Sequence, residues 1–153
     1  MEDRPLPSPG PGVVVALSGI MESPASRFVG RVLLVEDNPI NRLIARRLLE
    51  RLGLQIEFAD DGAEALEKLE ATRFDLVLMD CVMPRLDGFA ATLRWRELEL
   101  AQGRTRTPVI AVTANSTAED RAHCLASGMD DVLAKPINLQ SLTSVVAQYL
   151  HTA

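Results

Sequence analysis

The sequence is poor in cysteine and has no surplus of positive charge. Its two cysteines, Cys81 and Cys124, lack the CxxC or histidine spacing of a zinc site, so we expect reduced thiols in a cytoplasmic protein. With 16 basic and 21 acidic residues, the formal net charge is −5. This balance argues against direct binding of nucleic acid or of an anionic membrane surface, both of which favour a basic face.

Long hydrophobic runs are also missing. The apolar stretch near the start, "GVVVALSGIM", is far shorter than a membrane span. It follows Glu2 and Asp3, so it also lacks the basic region that opens a signal peptide. We therefore expect no membrane insertion and no export from the cytosol.

The overall composition is that of a globular domain. Apolar residues make up 47% of the chain and charged residues 24%, and 153 residues are enough for one domain with a real core. The segment "RPLPSPGPG" is rich in proline and glycine, which is typical of a linker. We predict a poorly ordered tail or linker over residues 1–29 and a folded domain over residues 30–150.

From Arg31 onward, short apolar runs alternate with helical stretches. The runs "RVLLV", "QIEFA", "DLVLM", "PVIAVT" and "DVLA" predict five strands, each followed by a helix. Because these strands are apolar almost throughout, both faces of their sheet should be covered. The prediction is an α/β fold, a (βα)5 chain with a doubly wound parallel sheet.

Local signals place several helix ends. Asn38 followed by Pro39 predicts an N-cap with proline in the first turn, and Gly53 should end that helix. Ser116 and Glu119 have the spacing of a capping box for the fourth helix.

Two helices carry a stripe that we expect to face the core. The first-helix stripe is Ile40, Leu43, Ile44, Leu48 and Leu52, with Arg42, Arg46, Arg47 and Glu50 left for water, and the last-helix stripe is Leu139, Leu142, Val146, Tyr149 and Leu150.

Polar residues stand where the predicted strands end. Glu36 and Asp37 follow the first strand, Asp80 the third, Thr113 the fourth and Lys135 the fifth. The carboxyl ends of parallel strands lie on one edge of the sheet, where ligands of such folds bind. Three carboxylates in one place repel one another and require a cation, and hard oxygen ligands suit Mg²⁺. Lys135 supplies a further positive charge.

Three segments resemble the receiver domains of two-component response regulators, most closely those attached to hybrid sensor histidine kinases. They are "VLLVEDNPINR", "DLVLMDCVMPRLDGFAAT" and "PVIAVTANSTAEDRAHCLASGMDDVLAKPI", and the resemblance covers about residues 31–150. It implies the flavodoxin-like strand order 2-1-3-4-5. It also implies a signalling switch rather than a turnover enzyme, phosphorylated by a histidine kinase or a histidine phosphotransfer protein.

The resemblance also implies roles for individual residues. Asp80 would be the phospho-acceptor, a carboxylate nucleophile that forms an acyl phosphate. Asp37, Asp80 and the main-chain carbonyl of Val82 would bind Mg²⁺, and Glu36 would act through a metal-bound water.

Two further residues would contact the phosphoryl group. Lys135 would pair with Asp80 and then with the phosphate, and its bond to Pro136 would be cis, as in the family. Thr113 would donate a hydrogen bond to a phosphoryl oxygen.

Two positions depart from the family pattern. Val132 stands where an aromatic switch residue is usual, three positions before the lysine, and apolar Val82 stands where polar residues are frequent. Because of Val132, we expect phosphorylation to change the face formed by the fourth helix, fifth strand and fifth helix less than in receivers with an aromatic residue there. Because of Val82, which cannot orient water, we expect slower hydrolysis of the phosphoryl group. Cys81, next to Asp80, is interpreted as a small buried hydrophobe.

Other functions remain as alternatives. An aspartate-nucleophile hydrolase would need an Asp-x-Asp pair, which Asp80-Cys81-Val82 lacks, and a flavin phosphate would be repelled by Glu36 and Asp37. A receiver-like interaction module that works without phosphorylation is the main alternative. Phe89 and Leu93 form a second apolar stripe on the third helix, which offers a contact surface for a weak homodimer.

Overall fold

The computed structural model describes residues 27–81, 87–114 and 117–152. The elements in these ranges are β1 (Phe28–Val29), β2 (Arg31–Val35), α1 (Pro39–Arg51), β3 (Gln55–Ala59), α2 (Gly62–Ala71), β4 (Leu76–Asp80), α3 (Gly88–Gln102), β5 (Val109–Thr113), α4 (Ala118–Ala126), β6 (Asp131–Ala134), α5 (Leu139–Tyr149) and β7 (His151–Thr152).

The main sheet is parallel and has the strand order β3-β2-β4-β5-β6. Counted from β2, this is the order 2-1-3-4-5 that the resemblance implied. Alternate residues of each strand enter opposite core layers. On β2, Leu33 packs toward α2, α3 and α4, whereas Leu34 packs toward α1 and α5. The predicted two-sided cover of the sheet is confirmed.

Side-chain caps start the helices that surround the sheet. Asn38 accepts from the backbone N–H groups of Ile40 and Asn41, and Pro39 is the first residue of α1, both as predicted. The capping box predicted at Ser116 is displaced by one residue. Thr117 caps α4 by accepting from the N–H of Asp120 at 3.1 Å, because this pair has the same three-residue spacing. Ser116 itself lies outside the described residues.

The buried face of α1 differs from the prediction. Ala45, Leu49 and Leu52 are buried against the sheet, whereas Ile40, Leu43 and Ile44 are 68%, 47% and 45% exposed. The helix is apolar on two sides, so its sequence alone does not determine which side packs inward. In α5 the predicted stripe faces the core, with Val145 buried in addition.

The folded unit begins before Gly30. Phe28 is buried in the core layer of α1 and α5, and its N–H donates to the carbonyl of Leu52 at 2.8 Å. Strand β1 pairs with β7 in antiparallel fashion, with Phe28 opposite Thr152 and Val29 opposite His151. Two residues assigned to the tail therefore belong to the fold. The prediction of a tail further upstream concerns residues 1–26, outside the described ranges.

No helix in the described ranges combines the length and the apolar character needed to cross a bilayer.

Candidate functional site

Parallel strand ends bring the predicted polar residues to one edge of the sheet. Glu36 follows β2, Asp80 is the last residue of β4 and Thr113 is the last residue of β5. Lys135 follows β6, and its N–H donates to the carbonyl of Thr113 at 2.8 Å. The Lys135–Pro136 bond is cis, as the resemblance implied.

Three carboxylates meet at this edge. One carboxylate oxygen each from Glu36, Asp37 and Asp80 lies within 4.8 Å of the others. Glu36 and Asp80 are only 4% and 5% exposed, whereas Asp37 is open to solvent. The cluster is thus buried on one side and accessible on the other.

Lys135 partly neutralises the buried pair. Its Nζ lies 3.3 Å from Oδ2 of Asp80 and 3.6 Å from Oε1 of Glu36. One ammonium against three carboxylates leaves an excess of negative charge, and charges in a partly buried site are weakly screened by water. A further cation would therefore be attracted to this site.

The pKa of the Glu36 carboxyl group reflects its burial and its charged neighbours. Burial raises the pKa of its carboxyl group above the ordinary glutamate value, and the neighbouring charge of Asp80 raises this pKa further. The backbone N–H of Asn38, which donates to Oε2 of Glu36 at 3.1 Å, and the ammonium of Lys135 oppose this increase.

The donor set fits a hard divalent cation. It consists of carboxylate oxygens, which suit Mg²⁺, and its open side leaves room for water and for a phosphoryl oxygen. Asp37, Asp80 and Glu36 would hold such an ion. The fourth predicted ligand, the carbonyl of Val82, lies outside the described residues.

Arg42 holds the loop that carries Glu36 and Asp37. Its guanidinium donates to the carbonyl of Glu36, with the Nη2 distance 2.5 Å, and forms an ion pair with Asp60. The prediction that Arg42 faces only water was therefore wrong. The sequence does not indicate this contact, because Arg42 binds a main-chain carbonyl, whose position depends on the conformation of the loop and not on the identity of its side chains.

Gly88 fixes the other side of Asp80. A Cβ at this position would lie 2.4 Å from the backbone oxygen of Asp80 and 2.9 Å from Cγ of Met79. The first turn of α3 therefore packs directly on the strand end that carries Asp80, and only glycine allows this approach.

Comparison with known proteins agrees with this architecture. The family model described as "Response regulator receiver domain" matches residues 32–147. A sensor histidine kinase, RcsC of Salmonella typhi, is 43% identical over 118 residues, which are 77% of this chain and 12% of the kinase. Histidine kinase 5 of Arabidopsis thaliana is 37% identical over 144 residues, 79% of this chain and 16% of that protein. The chain therefore spans only about an eighth to a sixth of the length of these relatives.

Solved structures similar to this chain in fold include two receiver domains. The receiver domain of sensor histidine kinase PA1611 from Pseudomonas aeruginosa PAO1, with a magnesium ion coordinated in the active site cleft, has a TM-score of 0.71 and 40% identity. The alignment covers 78% of this chain and 96% of that one.

The second is a co-crystal structure from Saccharomyces cerevisiae. It contains the histidine phosphotransfer protein Ypd1 and the receiver domain of Ssk1, with a TM-score of 0.77 and 29% identity over 80% of this chain and 90% of that chain. With the fold, the clustered strand ends and the family match in agreement, the chain belongs to the response regulator receiver domain family.

Proposed function

We propose that this chain is a phosphorylation-driven switch whose acceptor is Asp80. The observation that carries the proposal is the position of this carboxylate, which is buried at a strand end with Lys135 Nζ 3.3 Å away and two further carboxylates beside it. The phosphodonor is a histidine kinase or a histidine phosphotransfer protein, in keeping with the complex of the related Ssk1 receiver.

In the transfer step, an oxygen of Asp80 attacks the phosphorus of a phosphohistidine. The new P–O bond gives an acyl phosphate, and the P–N bond breaks as the histidine nitrogen leaves with its electron pair and takes up a proton. When bound, Mg²⁺ would offset the negative charge that gathers between acceptor and phosphoryl oxygens.

The residues of this chain position and neutralise the reacting groups. Lys135, which already contacts Asp80, stays within reach of the new phosphoryl oxygens. Thr113 stands at the neighbouring strand end, where its hydroxyl can donate to a phosphoryl oxygen. Arg42 holds the loop that carries Glu36 and Asp37, and Gly88 lets the first turn of α3 pack against Asp80.

This proposal accounts for the site better than an interaction module that works without phosphorylation. Buried carboxylates repel one another and reduce the stability of the fold. Such groups are retained where a function requires them. The complete set of Glu36, Asp37, Asp80, Thr113 and Lys135 has a use in phosphoryl transfer and none in simple docking.

Intact mass after incubation with acetyl phosphate and Mg²⁺ tests the proposal. We expect one added phosphoryl group on the wild type and none on Asp80→Asn, which keeps the shape of the side chain but removes the nucleophile. Unfolding curves of both proteins control for loss of fold. Labelling that persists in a folded Asp80→Asn variant would place the acceptor elsewhere.

A further inference from the structure

A cavity lies at the edge of the sheet opposite the carboxylate cluster. It is lined by residues of α2, of α3 and of the two segments that lead into β4 and β5. One strand length, about 16 Å, separates this edge from the one that carries Asp80. The volume of the cavity is about 220 Å³. Because an apolar cavity of about 150 Å³ is already large enough to bind benzene, this one has room for a substituted ring.

The cavity has an apolar side with an unused hydrogen-bond donor. Leu69, Phe74 and Trp95 contribute its large apolar side chains. Trp95 is 2% exposed, and its indole Nε1 is buried without a hydrogen-bond partner among the described residues. Within that part of the chain, no other buried side-chain nitrogen or oxygen lacks a partner. A buried donor without an acceptor costs free energy, and an oxygen of a bound ligand beside the indole would remove this cost.

Two arginines make the lining positive. The guanidinium of Arg104 donates to the carbonyls of Leu69 at 3.2 Å and Glu70 at 3.1 Å, and it lies 5.4 Å from the centre of the Trp95 ring. Arg73 is exposed and forms no ion pair or hydrogen bond among the described residues, so its charge is available to a ligand.

This positive lining contrasts with the charge of the whole chain. In the part of the chain that the structure describes, no carboxylate lines the cavity, although the net charge of the chain is −5. An anion would therefore be attracted to this cavity more than to the surrounding surface.

We propose that this cavity binds a small aromatic carboxylate. The ring of the ligand would contact Leu69, Phe74 and Trp95, while its carboxylate would pair with Arg73. An oxygen of the ligand would accept a hydrogen bond from Nε1 of Trp95. A water molecule alone would satisfy the indole but would leave the apolar lining and the charge of Arg73 unused. The site is separate from Asp80 and does not depend on phosphorylation.

The indole of Trp95 is itself the probe that tests the proposal. The sequence has one tryptophan, so the nitrogen-15-labelled chain gives a single indole N–H signal by NMR. Titration with benzoate at constant pH and ionic strength should move this signal downfield and saturate, because the N–H gains an acceptor. Benzamide matches the shape of benzoate without its charge, and acetate matches the charge without the ring. Each should bind at least about tenfold more weakly than benzoate.

Loss of the unpaired guanidinium supplies the second comparison. Arg73→Gln should weaken benzoate binding at least about tenfold, because the carboxylate loses its charged partner. Arg47→Gln is the matched control, since Arg47 is also exposed and without an ion pair among the described residues but lies on α1. It should bind benzoate as the wild type does. Both variants should keep the unfolding curve of the wild type.

Three results would overturn the inference. They are an indole signal that does not move at tens of millimolar benzoate, benzamide binding as tight as that of benzoate, and equal effects of Arg73→Gln and Arg47→Gln. The proposed function is tested separately, because acetyl phosphate labelling of Asp80 should be unchanged in Arg73→Gln. Failure of labelling in the wild type would remove the proposed function and leave the cavity as it is.

Discussion

At the scale of single residues, Gly88 affects both the stability of the fold and the position of Asp80, the proposed acceptor. Two forces act in opposite directions when it is replaced. Alanine is favoured over glycine within a helix by roughly 0.5–1 kcal/mol. The added Cβ, however, would lie 2.4 Å from the backbone oxygen of Asp80. Because this oxygen belongs to the main chain of β4, it cannot move away as a flexible side chain could.

We therefore predict that Gly88→Ala destabilises the protein by about 1–3 kcal/mol, the usual cost of overpacking. Urea unfolding measures this change, and its sign is the test. A more stable variant would show that α3 can move away from the strand end without penalty. Slower labelling of Asp80 should accompany the loss of stability, because relief of the overlap displaces the acceptor.

The two cysteines are buried neighbours rather than reactive groups. Cys81 and Cys124 are 4% and 1% exposed. Burial, together with the proximity of Cys124, raises the pKa of Cys81 to about 12. The interpretation of Cys81 as a small buried hydrophobe is thereby supported.

Iodoacetamide should consequently leave both thiols of the folded protein unmodified near neutral pH, since the thiolate is the reactive form. The same reagent should modify both in urea. Mass spectrometry of the two samples decides the matter, and rapid modification of the folded protein would contradict the burial of these side chains.

At the scale of elements, β6 carries the departure from the family at Val132. This residue is half-buried, lies opposite Ala111 of β5 and packs against the core layer of α3 and α4. Valine has a single side-chain torsion and little volume, so it cannot swing into space vacated by Thr113 as a large ring could.

We predict that a phosphoryl mimic, beryllofluoride, shifts backbone NMR signals mainly over residues 113–120 and only weakly over residues 131–134. The reason is that the mimic draws in Thr113 and its loop without a ring to relay the movement. Val132→Tyr should extend the shifts to β6 and α5. Shifts in β6 of the wild type as large as those in the loop would refute the prediction.

Helix α1 shows where prediction from sequence ends. Strand positions and helix starts follow from local chemistry, as Asn38–Pro39 does, and the clustering of Glu36, Asp80 and Lys135 follows from parallel topology. Which apolar side of α1 packs inward depends on the shape of the sheet beneath it. Ala45 is not part of the predicted stripe, yet it is buried in the same core layer as Leu34 of β2.

Contacts between distant segments were equally invisible. Nothing in the sequence near Gly88 signals its approach to Asp80, and nothing near Phe28 signals its place in the core. The homodimer surface expected on α3 stays a prediction. Leu93 is 51% exposed, whereas Phe89 is stacked on the ring of His123 with centroids 3.9 Å apart.

At the scale of the whole molecule, the carboxylate cluster should couple metal binding to stability. An ion that binds only the assembled site stabilises the folded state, by about 1.4 kcal/mol at ten times its dissociation constant. We predict that Mg²⁺ raises the melting temperature of the wild type by a few degrees. Asp37→Ala should remain folded, because Asp37 is exposed, and should lose most of this increase.

Thermal unfolding with and without MgCl₂ provides the measurement, at constant ionic strength so that screening is held fixed. An equal increase in the wild type and in Asp37→Ala would mean that the ion acts at another site.

The pairing of β1 with β7 also determines how freely the order of the chain can be rearranged. Because Phe28–Val29 lies beside His151–Thr152, a chain shortened to residues 28–152 could be closed into a ring by a short linker from Thr152 to Phe28. The linker would not cross the acceptor edge, which lies one strand length away, about 16 Å. The ring could be cut at Gly103, an exposed turn where an added Cβ would meet no atom within 4 Å. In such a circular permutant, Asp80 would follow Thr113 and Lys135 along the chain while keeping its neighbours in space. The proposed acceptor chemistry thus depends on the adjacency of parallel strands and not on the order in which the polypeptide visits them.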